Sequence, residues 1–304
     1  MILVALAVVL STSFGVLYER RSDGAQAAAR RTLLLMLYVL VPFVSFVNIA
    51  HLHVTVGGGI GLGLAYVAIG GAGVAAWAIG RFWLRLGRPS IGALICGVII
   101  VNTGYLGLPM TVALLGSKAL SSAVAYDQLV GGPMLFLVGF GVGAAFGDRA
   151  GAGGWARVRA FLTRNPPLLA VIAGLLAPAA LAPAPLVLAS HLVVAGLLVL
   201  GFFAVGVNLS AERRRDAVAL LAWPDRRVAV AVGLRMVAVP LLVAGVSTVV
   251  VALPTAYLLH AAMPTGVSSL IVGQAYGLDQ HLIATIILWS TAAVLVAGLV
   301  IAAL

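Results

Sequence analysis

Two short stretches of this sequence set helix-breaking residues beside polar side chains, inside runs that are otherwise apolar. They are NTGYLGLP at 102–109 and MPTGVSS at 263–269. Proline lacks an N–H and clashes with the preceding turn, so Pro109 and Pro264 interrupt a helix, and the neighbouring glycines free the backbone. In lipid, every freed N–H or C=O is costly unless protein or water satisfies it. A matched pair of interruptions is the sequence mark of a binding site built between half-helices. Half-helix N-termini present N–H groups and positive dipole ends, which suits an anionic ligand. The candidate binding residues are Asn102, Thr103, Gly104, Tyr105, Pro109, Pro264, Thr265, Ser268 and Ser269. Their hydroxyls donate and accept, and the carboxamide of Asn102 does both.

Few other residues carry chemistry. Asp127, in SSAVAYDQLVGG, is an acid within an apolar run; such acids face the protein interior and serve proton or ion coupling, unless they sit hydrated at the interface. Asn48 and His281 join it as coupling candidates on grounds given below. Arg235 falls mid-run with no acid three or four residues away, leaving backbone carbonyls, a distant acid, a ligand carboxylate or snorkelling to the membrane surface as its partners. His51 and His53 form His-x-His without further ligands nearby, so no metal site is expected. Gly139, Gly143 and Gly147 form a close-packing stripe, either within the protomer or at a homodimer interface. The glycines at 57–63 lack the spacing of a nucleotide loop. No nucleophile, paired carboxylates or H-E-x-x-H appears, so an enzyme is not expected, and neither is a cofactor beyond a coupling H+ or Na+.

The elements that must position these residues are membrane helices. The chain is 63% apolar and 9% charged, with a mean hydropathy of +1.18. Soluble domains run at about 45–50% and about 25%. Ten apolar runs approach the roughly 20 residues that span a bilayer: 2–18, 32–50, 60–80, 90–116, 121–146, 166–181, 186–209, 228–251, 255–276 and 281–303. They are apolar on all faces, which excludes the alternation of a β-barrel. Residues 2–18 have no basic leader or clear cleavage site and read as a retained helix. The lone cysteine, Cys96, excludes an intrachain disulfide.

The net charge of +10 is topological. Sixteen of the eighteen basic residues lie in alternate connections, after runs one, three, five and seven. The positive-inside rule puts those loops in the cytoplasm and both termini outside, as in a multi-pass protein of a cell (inner) membrane. The bilayer is then the expected partner, and a nucleic acid is not.

The polar connection at 147–165 divides the runs five and five, so the halves lie in opposite orientation, as in inverted-repeat transporters. Residues 1–147 form the first repeat, 148–163 a cytoplasmic linker and 164–304 the second. FVSFVNI (43–49) and FFAVGVNL (202–209) place Asn48 and Asn208 equivalently. Pro109 and Pro264 follow these asparagines by 61 and 56 residues, and Asp127 and His281 follow the prolines by 18 and 17. The fold class is therefore an all-α polytopic membrane protein of ten helices in a 5+5 inverted repeat, with helices four and nine broken.

NTGYLGLPM, MPTGVSSLIVGQAYGLD and RNPPLLAVIAGLL (164–176) together resemble the auxin efflux carrier family, within the wider group that includes bile-acid/sodium symporters. The resemblance covers essentially the whole chain. It implies a scaffold domain and a transport domain, each drawn from both repeats, with the two broken helices crossing in the latter. It also implies elevator-type alternating access and transport of small organic carboxylates such as indole-3-acetate, malate and malonate. Plant members carry a large central cytoplasmic loop, and this chain has a short one, as bacterial members do. A cation/proton antiporter shares the crossed-helix plan, but neither interruption contains an acid. A membrane sensor would need an output domain that these loops are too short to hold.

Overall fold

The computed structural model describes residues 2–50, 59–116, 119–149, 155, 159, 166–216, 224–249 and 252–303. These residues are almost entirely helical. The elements are α1 (Ile2–Arg21), α2 (Ala25–Leu35), α3 (Val41–Ala50), α4 (Gly59–Ala78), α5 (Arg88–Ile99), α6 (Leu108–Leu115), α7 (Leu120–Tyr126) and α8 (Phe140–Phe146). They continue as α9 (Pro166–Leu176), α10 (Ala184–Asp216), α11 (Arg226–Gly233), α12 (Val239–Val249), α13 (Thr255–Ala261), α14 (Ser268–Tyr276) and α15 (Gln280–Ala303). Wide π-helical turns, Met36–Leu40 and Leu234–Ala238, join α2 to α3 and α11 to α12.

Among the described residues, five stretches are long and apolar enough to cross a membrane: Ala25–Val47, Ile60–Trp83, Leu129–Phe146, Arg226–Val249 and Gln280–Gly298. Their outward faces carry large apolar side chains, including Val74, Leu241 and Val296. A water-facing surface would not be built this way; these faces suit lipid. Helix α2 starts at Ala25, earlier than the apolar run, because Ala25, Ala29 and Leu33 are buried at a spacing of four while Arg30 and Arg31 on the other face are exposed. Helix α10 likewise runs beyond its apolar stretch to Asp216.

The helices pack in two groups. In the first, α1 lies along α10, α9 packs on α3, and α2 packs on α10. Small residues set the α1–α10 crossing: a Cβ on Gly15 would strike the carbonyl of Phe203, and one on Gly206 the carbonyl of Thr12. Bare backbones let the two helices approach this closely. Ser210 donates across the same contact to the buried Glu19 carboxylate at 2.7 Å. The second group gathers α5 with α4, α8 and α15, and α11 with α15 and α5. The groups meet where α10 contacts α15 and residues 103–107, and where α14 contacts α2.

The glycine stripe on the helix ending in α8 is filled from within the chain. A Cβ on Gly139 would meet Ile100 at 2.9 Å, and one on Gly143 would meet Tyr276 at 2.5 Å. The stripe therefore seats both interrupted helices and gives no argument for a dimer. Several arginines of the basic connections cap helix ends as well. Arg149 donates to the carbonyl of Gln274 at 2.7 Å, and Arg88 to that of Ala145 at 2.6 Å, each complementing a C-terminal dipole. Gly277, at φ +77°, takes the left-handed conformation that closes α14.

Candidate functional site

The first interruption begins where α5 stops at Ile99. Ile100 is extended (φ −89°, ψ 112°), and the chain turns helical again only at Thr103, through a π-helical turn to Gly107 and into α6. The second lies between α13 and α14, over residues 262–267. The two unwound stretches bridge each other backbone to backbone. Val101 pairs antiparallel with Thr265; the Asn102 N–H donates to Pro264 O at 2.9 Å, and the Gly266 N–H to Ile100 O at 2.8 Å. Groups freed by unwinding one helix thus satisfy those freed by unwinding the other, as a low-dielectric interior requires. Gly266 is needed for this approach, since a Cβ there would sit 3.0 Å from the Val101 carbonyl oxygen.

Pro109 does not mark the point of unwinding. The break falls at 100–102, and Pro109 is the second residue of α6, where the preceding wide turn accommodates its missing N–H. Pro264 does lie in its unwound stretch. The two prolines are therefore similar in sequence interval and different in structural place.

The candidate side chains divide into structural and unengaged ones. Thr265 is fully buried; its hydroxyl donates to Gly97 O at 2.5 Å, and its N–H to Ser290 Oγ at 3.2 Å. Ser269 donates to Gly266 O at 2.6 Å, and Ser268 is buried beside it. Thr103 donates to Asp127 Oδ1 at 2.5 Å, which brings the half-buried Asp127 to the N-terminal end of the resumed helix, next to Gly104. Asn102 differs from all of these. It is 2% exposed, and neither its Oδ1 nor its Nδ2 has a hydrogen-bond partner among the described residues. The side chains of Tyr105 and Pro109 lie outside the described set.

Arg235 is wholly buried and bound to backbone carbonyls. It donates from Nε to Met263 O at 3.0 Å, from Nη1 to Val98 O at 3.5 Å, and from Nη2 to Ala261 O. Those carbonyls end α5 and α13. One guanidinium therefore ties the C-terminal ends of both first half-helices, and its five donors in a rigid fork suit it to three acceptors at once.

Three residues beside the interruptions fall in no motif of the sequence. Thr111 donates to Gly107 O at 2.9 Å and lies 3.0 Å from His260 Nε2. His260 is fully buried, and the Tyr126 ring stands edge-on to it at 5.5 Å. Tyr126 Oη and His260 Nδ1 are buried without partners among the described residues. The available signal was a histidine four residues before Pro264, one helical turn from the break. The other coupling candidates are Asn48 and His281. The backbone of Asn48 falls in α3, and its side chain lies outside the described set. Asn208 bonds its own helix, Nδ2 to Ala204 O at 2.8 Å. His281 sits in the first turn of α15, which Asp279 caps at 3.0 Å; among the described residues, no hydrogen bond joins it to either interruption. His51 and His53 lie outside the described residues, and no cluster of metal-ligating side chains occurs among those described.

The fold and its polar centre define an all-helical, multi-pass membrane protein with two unwound helices meeting inside it. Residues 158–302, nearly half of the chain, match the family model described as Membrane transport protein. The match includes the second interruption and α15, and it supports a role in membrane transport. No curated protein matches the chain.

Proposed function

We propose that this protein is a secondary transporter of small organic anions, which bind where the two interruptions meet. The observation that carries this reading is Asn102: a buried carboxamide with both polar atoms unpartnered, fixed by its own N–H to the opposite interruption. Leaving a buried polar group unmade costs about 1–3 kcal/mol, a cost that persists where a ligand repays it. The charge balance points to an anion. Each helix end carries roughly half an elementary charge, so one guanidinium, Arg235, matches the two C-terminal ends it binds. Asp127 offsets the N-terminal end at Thr103, and a carboxylate suits the one at Ser268.

Auxin-like acids, malate and malonate are the substrate class proposed. A proton or sodium ion is the proposed coupling ion, with Asp127 as its candidate acid. The two packing groups support an elevator mechanism, in which α1, α2, α3, α9 and α10 form the scaffold and the remaining helices carry the site. Residues from both inverted repeats enter each group. The protein is placed in the cell membrane with both termini outside. Purified protein in proteoliposomes is expected to accumulate one or more radiolabelled carboxylates from a panel, saturably and dependent on pH, sodium or membrane potential. A folded protein that takes up none of them contradicts the reading.

A further inference from the structure

We propose that His260 is a proton-binding residue of this site, resting with its proton on Nε2 and accepting a second on Nδ1 when an organic anion occupies the crossing. The resting tautomer follows from hydrogen-bond geometry. A threonine hydroxyl has one proton, and Thr111 gives its proton to Gly107 O at 2.9 Å. The 3.0 Å contact between Thr111 Oγ1 and His260 Nε2 must then be donated by the imidazole. Nδ1 is left as a bare lone pair, buried and without a partner.

The place of this lone pair gives it a role. His260 ends α13 beside the second interruption, where Met263 N–H donates to its carbonyl at 3.1 Å. Its ring also abuts the first interruption, since a Cβ on Gly107 would lie 3.1 Å from Cε1. Among the described residues, the groups against it are Tyr126 on α7 and Tyr257 on its own helix, with Asp127 next to Tyr126 in the chain, Tyr66 on α4 beyond Tyr126, and Arg235 bound to the neighbouring Ala261 carbonyl. Asp127 is engaged by Thr103 on the other side of the turn. An imidazolium here adds a second positive charge near Arg235 in a dry interior, which is unfavourable until a negative charge arrives. Proton and anion therefore favour each other's binding, by the same factor in each direction. In chemical terms a solvent proton adds to the Nδ1 lone pair, imidazole becomes imidazolium, and no other bond changes.

The second half of this inference rests on the anion reading, and the resting tautomer does not. The test is the 15N spectrum of histidine-labelled full-length protein in lipid vesicles, with and without malonate, across about pH 5–8. Of the five histidines, the signal lost in His260→Gln identifies this one; the glutamine amide can still donate to Thr111. A neutral ring protonated on Nε2, becoming doubly protonated on malonate addition, is the expected result. The variant should bind carboxylate less tightly, and at saturating carboxylate it should lose roughly tenfold or more of the acceleration that an inward proton gradient gives the wild type. A ring protonated on Nδ1, or one that stays neutral with malonate throughout, overturns the proposal, as does an unaltered proton response in the variant. The same response lost in Asp127→Asn but kept in His260→Gln assigns the proton to Asp127 and also overturns it. Uptake of no carboxylate by the wild type sinks the transport reading instead, and leaves the tautomer to be judged by the spectrum.

Discussion

Among single residues, Arg235 and Asn102 make opposite demands. Arg235 satisfies three carbonyls at two helix ends, so removing it leaves buried acceptors unpaired at about 1–3 kcal/mol each. Arg235→Met, similar in bulk, is expected to lower the unfolding midpoint in detergent by roughly 5 °C or more, at about 2–4 °C per kcal/mol. Arg235→Lys, lacking the fork, should recover only part of that loss. An unchanged midpoint for Arg235→Met would refute the capping role. The sequence offered Arg235 several partners, and it could not choose among them because the carbonyls it binds belong to α5 and α13, far away in the chain. It marked Asn102 through its neighbours, and passed over His260 because a lone histidine in an apolar run has no pattern around it.

The helical, membrane-spanning character was legible, since a span needs a continuous apolar run and the chain has little else; ten runs were expected as spans, and five stretches among the described residues are long and apolar enough. What the runs hide is where a helix stops. Pro109 points seven or more residues away from the actual unwinding at 100–102. That position is fixed by the bridge to residues 264–266 and by the approach that only Gly266 permits. The glycine stripe had two possible partners in the sequence and one in the structure, Ile100 and Tyr276 of the interrupted helices. Close contacts between elements give a direct prediction. Gly206→Val drives a side chain into the Thr12 carbonyl, where overpacking costs about 1–3 kcal/mol. Thermal unfolding in detergent should show that loss, and the neighbouring Val207→Ala, which removes bulk without this clash, should not separate α1 from α10. Stability of Gly206→Val equal to the wild type would mean that the two helices do not cross there.

For the whole molecule, the proposed transport mechanism depends on how the two groups are arranged. Gly201 of α10 faces Val267 of the second interruption, and a Cβ built on Gly201 lies 3.2 Å from that of Val267, near the roughly 3.5–4.5 Å of a disulfide. The pair Gly201→Cys and Val267→Cys should therefore cross-link under mild oxidation, with the native Cys96 buried and silent. If one group must slide past the other, the cross-link stops transport and reductant restores it; full activity in the oxidised protein contradicts the elevator. The charge pattern predicts a topology, because loop arginines resist crossing lipid. It could not show the grouping, which depends on pairs such as α1 with α10, set by side-chain shape rather than composition.

The most direct measurement compares Asn102→Ala with the wild type in thermal stability and in carboxylate uptake, on the same proteoliposome preparations. Because neither polar atom of Asn102 has a partner among the described residues, the substitution should leave the unfolding midpoint unchanged or slightly raised. Loss of hydrogen bonds to a charged ligand, worth about 1.5–3 kcal/mol, should weaken apparent affinity roughly tenfold to a hundredfold. Stability kept and uptake lost is the result predicted for a ligand-facing carboxamide. Unfolding well below the wild type, or uptake at wild-type affinity, would contradict the claim that the meeting point of the two interrupted helices is the binding site.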